Sequence, residues 1–159
     1  MVIKELQISE IKSAVHQALD HHGTDRDELI PVLLEVNENL GYLPTAAMAE
    51  LSNAMRIPIS RVYSVASFYS MLATEPRGRH VVQFCESAPC HVMGGRKLIL
   101  ALQEHPNLEP GETSSDAKWT LLTTSCLGTC GVGPVLLVDD DVYGKVSEHM
   151  LAGIFAAYE

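Results

Sequence analysis

At 159 residues, with 47% hydrophobic side chains and a formal net charge of -9, the chain can bury about 70% of its unfolded surface in one compact domain or two small units. Ten acidic residues stand against five basic ones in residues 1–75, and ten against six in residues 76–159, so neither half offers the basic face that nucleic acid requires. No apolar run approaches the roughly 20 residues that cross a bilayer, and the opening Met-Val-Ile-Lys-Glu-Leu-Gln lacks the basic stretch and apolar core of a signal peptide; the expectation is a soluble, cytoplasmic chain without direct membrane contact.

The first half reads as helices throughout. Ile8, Ile11, Val15 and Leu19 keep a helical stripe that ends near Gly23, and Thr24 with Asp27 has the form of a capping box. The second helix so opened carries Leu29, Val32, Leu33, Val36 and Leu40 on one face, takes Pro31 in an early turn or as a kink, and stops at Gly41. After a short loop, Tyr42 to Pro44, the residues Met48, Leu51 and Met55 mark a third helix. Ser60 is the expected cap of a fourth, with Val62, Val65, Tyr69 and Met71 or Leu72 as its apolar positions. Four helices make a small bundle. Apolar residues such as Val62, Val65 and Tyr69 need burial within it or against another chain.

Glu75-Pro76-Arg77-Gly78 breaks the helical pattern and sets a boundary, giving a helical bundle over 1–76 and a second domain over 77–159. There His80 to Phe84 reads as a strand, Met93 to Glu104 as a helix and Trp119 to Thr124 as a strand. Val135 to Val138 and Val142 to Val146 read as a hairpin around Asp139-Asp140-Asp141, and a last helix spans about Ser147 to Tyr158. The class is α+β.

All four cysteines of the chain lie in this second half as two clips, Cys85 and Cys90 with four residues between them, Cys126 and Cys130 with three. Each clip follows a strand-like run and enters a loop, so both loops should open on one side of a sheet. Such spacing is that of a metal-cofactor site. Structural zinc also takes four thiolates but often uses a C-x2-C knuckle, absent here. Disulfides require an oxidising compartment, for which no signal peptide argues. Dithiol exchange of the C-x-x-C kind needs a width that neither clip has.

With a 35-residue gap between clips and C-L-G-T-C-G-V-G-P around the second, the pattern resembles the thioredoxin-like [2Fe-2S] ferredoxin subunit of NADH dehydrogenases, the complex I enzymes. That family also supplies small subunits of NAD-linked hydrogenases and formate dehydrogenases. The G-Y-L-P and I-S-R-V-Y-S-V-A-S-F-Y segments of the helical half resemble it as well. The likeness implies a thioredoxin-like sheet, which the order β-α-β-β-β-α suits. It further implies one [2Fe-2S] cluster held by Cys85, Cys90, Cys126 and Cys130, one clip on each iron, as four thiolates commonly do. FMN and NAD(H) would sit on a partner, the flavoprotein subunit of the same complex, with the helical half as docking element. That complex would be NADH:quinone oxidoreductase, in a peripheral arm of a membrane complex, or alternatively an NAD(P)-linked, including bifurcating, hydrogenase or formate dehydrogenase. Gly94, Gly95, Gly128, Gly131 and Gly133 would let backbone approach the sulfurs.

Other features take plainer readings. His91 follows Cys90 but a Rieske centre needs two histidines in place of two cysteines, so it reads as an early helix residue or outer donor. His21 and His22 stand near a helix end, where imidazole meets free carbonyls. Asp139 to Asp141 read as solvated turn formers. The stretch Leu51–Val65 has the look of a helix-turn-helix, raising an iron–sulfur DNA-binding regulator; its second helix carries only Arg61 as a cation, and packed bundle helices are the simpler account. No G-x-G-x-x-G follows a strand, so the chain is not expected to be catalytic alone.

Overall fold

The computed structural model describes residues 6–104 and 108–158. The opening run 1–5, which belongs to the expected bundle span, and residues 105–107 and 159, which belong to the second, lie outside the described residues. Two compact units divide the chain between Pro76 and Arg77.

The first unit holds α1 (Ile8–His22), α2 (Leu29–Leu40), α3 (Thr45–Met55) and α4 (Ile59–Phe68). Their helical stripes meet in one core: Val15 and Ala18 from α1, Val32, Leu33 and Val36 from α2, Leu51 from α3, Val62 and Ala66 from α4, all at 0% exposure. At the C-terminal end of α2, Gly41 takes the left-handed conformation at φ 82 and donates its N–H to the Asn37 carbonyl at 2.8 Å, as its expected role as terminator requires. The Asn37 side chain accepts the Ala73 N–H at 2.9 Å, tying the segment after α4 to the bundle.

Helix starts differ from the sequence reading. Thr24 and Asp27 form no capping box; Asp25 precedes a tight turn, Arg26–Glu28, that leads into α2 without a side-chain cap. The carboxylate that closes a helix start is Glu10, whose Oε2 accepts the Gln7 N–H at 3.1 Å. Pro31 is the third residue of α2, so its missing N–H falls among first-turn donors that have no helical partner anyway. Ser60 lies inside α4 and the cap position is Pro58, whose restricted φ of -56 sets the entry into the helix. Tyr69 is extended and ends α4, leaving Leu72 buried beyond it and Met71 exposed.

The second unit is built on β1 (His80–Cys85), β2 (Trp119–Thr124), β3 (Leu136–Val138) and β4 (Asp141–Tyr143), in the order β2-β1-β3-β4. β1 and β2 run parallel, and β3 is antiparallel to both β1 and β4. A single turn, α5 (Ala88–Cys90), follows β1; α6 (Arg96–Glu104) lies between β1 and β2, and α7 (Leu151–Ala156) closes the unit. Val82, Phe84, Leu98, Leu102, Leu121 and Leu136 form the centre of its core.

The regular part of α6 begins at Arg96 rather than Met93, because His91–Gly95 forms a wide turn kinked at Gly94, where φ is 108. β4 stops at Tyr143 rather than continuing to Val146. Lys145 and Val146 turn their N–H groups away from the hairpin to the carbonyls of Val132 (2.6 Å) and Pro134 (3.1 Å), which ties this strand end to the second cysteine loop. The last helix is shorter than expected, since Glu148–Met150 forms a tight turn before α7. Among the described residues no helix is long and apolar enough to cross a membrane.

Candidate metal centre

Parallel pairing places the site. β1 and β2 run side by side from His80 opposite Trp119 to Cys85 opposite Thr124, so the chain leaves both strands at the same sheet end. Cys85 is the last residue of β1, and Cys126 stands two residues beyond β2. The Glu86 N–H still donates to the Thr124 carbonyl at 3.1 Å, holding the two loops together as they open.

In the first loop, α5 ends on Cys90, and the His91 N–H donates to the Ser87 carbonyl at 3.0 Å. Cys85 and Cys90 are both 1% exposed and pack with Val135 and Leu127. In the second loop, Gly128 turns the chain at φ 79 and the tight turn Cys130–Val132 presents Cys130. Cys126 is exposed and Cys130 half-buried, with 3.3 Å between their Sγ atoms. One clip is interior and the other faces outward.

Negative charge on one cysteine sulfur raises the cost of charging the others across the loops. Cys90 responds to Cys85 and Cys126, and Cys130 responds to all three others. Burial works against ionising Cys85, but hydrogen bonds from the Ser87 and Leu127 backbone, with the Cys90 and Ser87 side chains, outweigh it and hold that thiol below its ordinary range. Cys90 is pushed up by burial first and by Cys85 next, although the Val135 backbone donates to it. Cys130 is pushed up by its contact with Cys126. The Gly128 N–H donates to Cys126 Sγ at 3.4 Å.

Among the described residues, no three His, Cys, Asp or Glu side chains gather closely enough to hold a single metal ion. Structural zinc needs four donors round one point, whereas a two-iron cluster needs two thiolates at each iron. The chain offers thiols in pairs.

The glycines divide by role. A Cβ on Gly133 would lie 3.3 Å from both Cys90 Sγ and Met93 Sδ, so the bare backbone lets both sulfurs close in. A Cβ on Gly95 would lie 2.7 Å from the Cys90 carbonyl oxygen, making its absence a packing need. Gly131 meets nothing within 4 Å and is open. Backbone donors at Ser87, Leu127 and Val135 were not singled out by sequence reasoning; the available signal was their position one or two residues after Cys85 or Cys126, and five after Cys130.

Residues given plainer readings fall elsewhere. The His91 ring is exposed. His21 Nδ1 and His22 Nε2 meet not helix-end carbonyls but the two oxygens of Glu35 on α2, at 2.8 and 2.9 Å. The aspartates of the hairpin are not merely solvated. Asp139 accepts the Val81 N–H at 2.8 Å and faces His80 Nδ1 at 2.7 Å, while Asp141 accepts from the Tyr158 hydroxyl at 2.7 Å.

The sequence profile of the thioredoxin-like [2Fe-2S] ferredoxins matches residues 15–159. The E subunit of NADH-quinone oxidoreductase from Escherichia coli K12 is 33% identical over 155 residues, 98% of this chain and 93% of that one. Its namesake from Aquifex aeolicus is 31% identical over 149 residues, 94% and 93% of the two chains. Among solved structures, NAD+-reducing [NiFe]-hydrogenase in the H2-reduced state superposes with a TM-score of 0.70 at 23% identity over 82% of this chain. This chain spans 22% of the hydrogenase chain, and the likeness is one of fold.

Proposed function

The chain belongs to the thioredoxin-like [2Fe-2S] ferredoxin family, and on that premise we propose that it is an electron-transfer subunit carrying one [2Fe-2S] cluster close to the FMN of an NADH-linked oxidoreductase, NADH:quinone oxidoreductase in the first place. The observation that carries this reading is the pairing of thiols from two loops at one sheet end, Cys85 with Cys90 and Cys126 with Cys130. Each pair would take one iron. When bound, the cluster supplies reversible one-electron transfer.

What the chain's own residues contribute is a graded environment. Val135 and Leu127 keep water from Cys85 and Cys90, and N–H groups of Ser87, Leu127, Val135 and Gly128 stabilise negative charge on sulfur. Cys126 is exposed and makes this the side from which a partner would exchange electrons. FMN and NAD(H) belong, in this reading, to a flavoprotein partner.

The helical unit serves as the docking element. α4 exposes Ile59, Tyr63 and Phe68, Met71 follows, and Arg61 is the one charged residue of the helix. Aromatic and apolar exposure of that kind suits a protein interface better than a phosphate backbone. Partners that copurify would tell NADH:quinone oxidoreductase from a hydrogenase or formate dehydrogenase.

Anaerobically purified protein is expected to hold about two irons and about two acid-labile sulfides per chain, with a [2Fe-2S] EPR signal on reduction and a midpoint of roughly -200 to -400 mV. Stoichiometric zinc without sulfide would overturn the reading.

A further inference from the structure

The four thiols are not equally open to reagents. Cys85 and Cys90 are closed in at 1% exposure each. Cys126 is exposed, Cys130 is half-buried, and their Sγ atoms stand 3.3 Å apart. The loop between and after them is Leu127-Gly128-Thr129, then Gly131. Neither glycine position meets a neighbour within 4 Å at its missing Cβ, so the turn has room to adjust. Bringing the sulfurs together to the roughly 2.05 Å of a disulfide is then a local movement.

We propose that Cys126 and Cys130 form a reversible disulfide in the cluster-free chain, and that this modification closes the site to iron until a thiol reductant reopens it. The closing of the site rests on the ligand assignment above; the disulfide itself does not.

The chemistry needs a two-electron oxidant, and a peroxide is the class proposed. Cys126 sulfur attacks the O–O bond of hydrogen peroxide, giving a sulfenic acid and one water; Cys130 sulfur then displaces the sulfenic oxygen as a second water, forming the S–S bond. Two S–H bonds are lost, and their protons and electrons leave in the two waters. Reduction runs by dithiol exchange, and an exposed bridge across a short loop is of the labile kind. Interior Cys85 and Cys90 are shielded from the first step by burial.

The test uses the full-length chain, freed of cluster and fully reduced under argon, then treated with one equivalent of hydrogen peroxide, alkylated in denaturant and mapped by mass spectrometry. The expected product is about 2 Da lighter before alkylation, as two lost hydrogens require, carries alkyl groups on Cys85 and Cys90, and shows a Cys126–Cys130 cross-linked peptide. Iron and sulfide uptake by this product should fall at least about tenfold and return after dithiothreitol. Cys126→Ser should abolish the intramolecular link while leaving Cys85 and Cys90 alkylatable. Four alkylated thiols in the wild-type product, or a link to Cys85 or Cys90, would overturn the disulfide. A mapped Cys126–Cys130 link with undiminished uptake would overturn the gate. Failure of the reduced chain to take up any cluster would instead sink the ligand assignment, with the peptide map still deciding the disulfide.

Discussion

The helical unit keeps one uninterrupted apolar core, whereas the sheet unit divides its interior between an apolar core and a smaller group where Cys85 and Cys90 pack with Val135 and Leu127. The difference follows from where backbone hydrogen bonds run out. Inside a helix or a strand, N–H groups are consumed by the ladder. At the shared end of β1 and β2 the ladder stops, and the N–H groups of Ser87, Leu127, Val135 and Gly128 are free to face sulfur. Polar ties of the helical unit join its own elements, as with His21 and His22 on Glu35 and the Ala73 N–H on Asn37. In the proposed reading, chemistry sits where secondary structure ends, and a bundle with a continuous core acts through its surface.

The largest effect should come from the interior clip. Cys85→Ser or Cys90→Ser places a shorter, harder ligand in a site closed to water, so iron content is expected to fall below about a tenth of wild type. Cys126→Ser and Cys130→Ser, at the open side, should keep an altered cluster, because water or serine oxygen can complete that iron. Iron and sulfide analysis with EPR of the reduced proteins checks the ranking. Equal loss in all four variants would erase the distinction between the clips.

Next is the bundle core. Leu51 is fully buried, so Leu51→Ala should cost about 2–5 kcal/mol in urea unfolding of the helical unit. Iron and sulfide in the folded protein should be unchanged, since the cysteine loops all belong to the other unit. Loss of cluster in a folded Leu51→Ala protein would mean that the two interiors are not independent.

Much of this was legible in the sequence, and the gaps have physical causes. β2 runs from Trp119 to Thr124 as its apolar run predicts, and α1 ends just before Gly23. Periodicity is a statement about burial, and burial was correctly placed at Val15, Val36, Leu51 and Val62. Helix starts were less legible because several polar residues compete for them: Ser60 has the right chemistry for a cap, but Pro58 sets the turn two residues earlier. Gly94 was read as a close-approach residue, whereas its backbone at φ 108 delays α6 to Arg96. The grouping of the cysteines in two pairs was legible from spacing, yet which pair is interior was not. That depends on Val135, forty-five residues from Cys90, which stands just ahead of β3.

A smaller effect should separate the surface of α4 from its core. Tyr63 and Phe68 are 54% and 79% exposed, so Tyr63→Glu combined with Phe68→Glu should leave folding and cluster content intact. Affinity for the copurifying flavoprotein should drop by about tenfold or more, equivalent to about 1.4 kcal/mol. Calorimetry with the purified partner measures it. Unchanged affinity would move the docking role off this helix.

The smallest effect tests whether the bundle's surface ties matter to its stability. Glu35 on α2 spans two imidazoles at the end of α1, with side-chain exposures of 59% for His21 and 34% for His22. Solvent competes for the imidazole side of these contacts while the Glu35 side chain is only 18% exposed, and part-exposed polar pairs of this kind contribute about 0–1 kcal/mol. Glu35→Gln keeps the shape and one acceptor oxygen while removing the charge, so one hydrogen bond to a histidine can survive. The expected cost is therefore about 0.5 kcal/mol in urea unfolding, well below that of Leu51→Ala. A cost of about 2 kcal/mol or more would show that the carboxylate acts as part of the bundle's interior, and the contrast between a purely apolar helical core and a chemically active sheet unit would have to be redrawn.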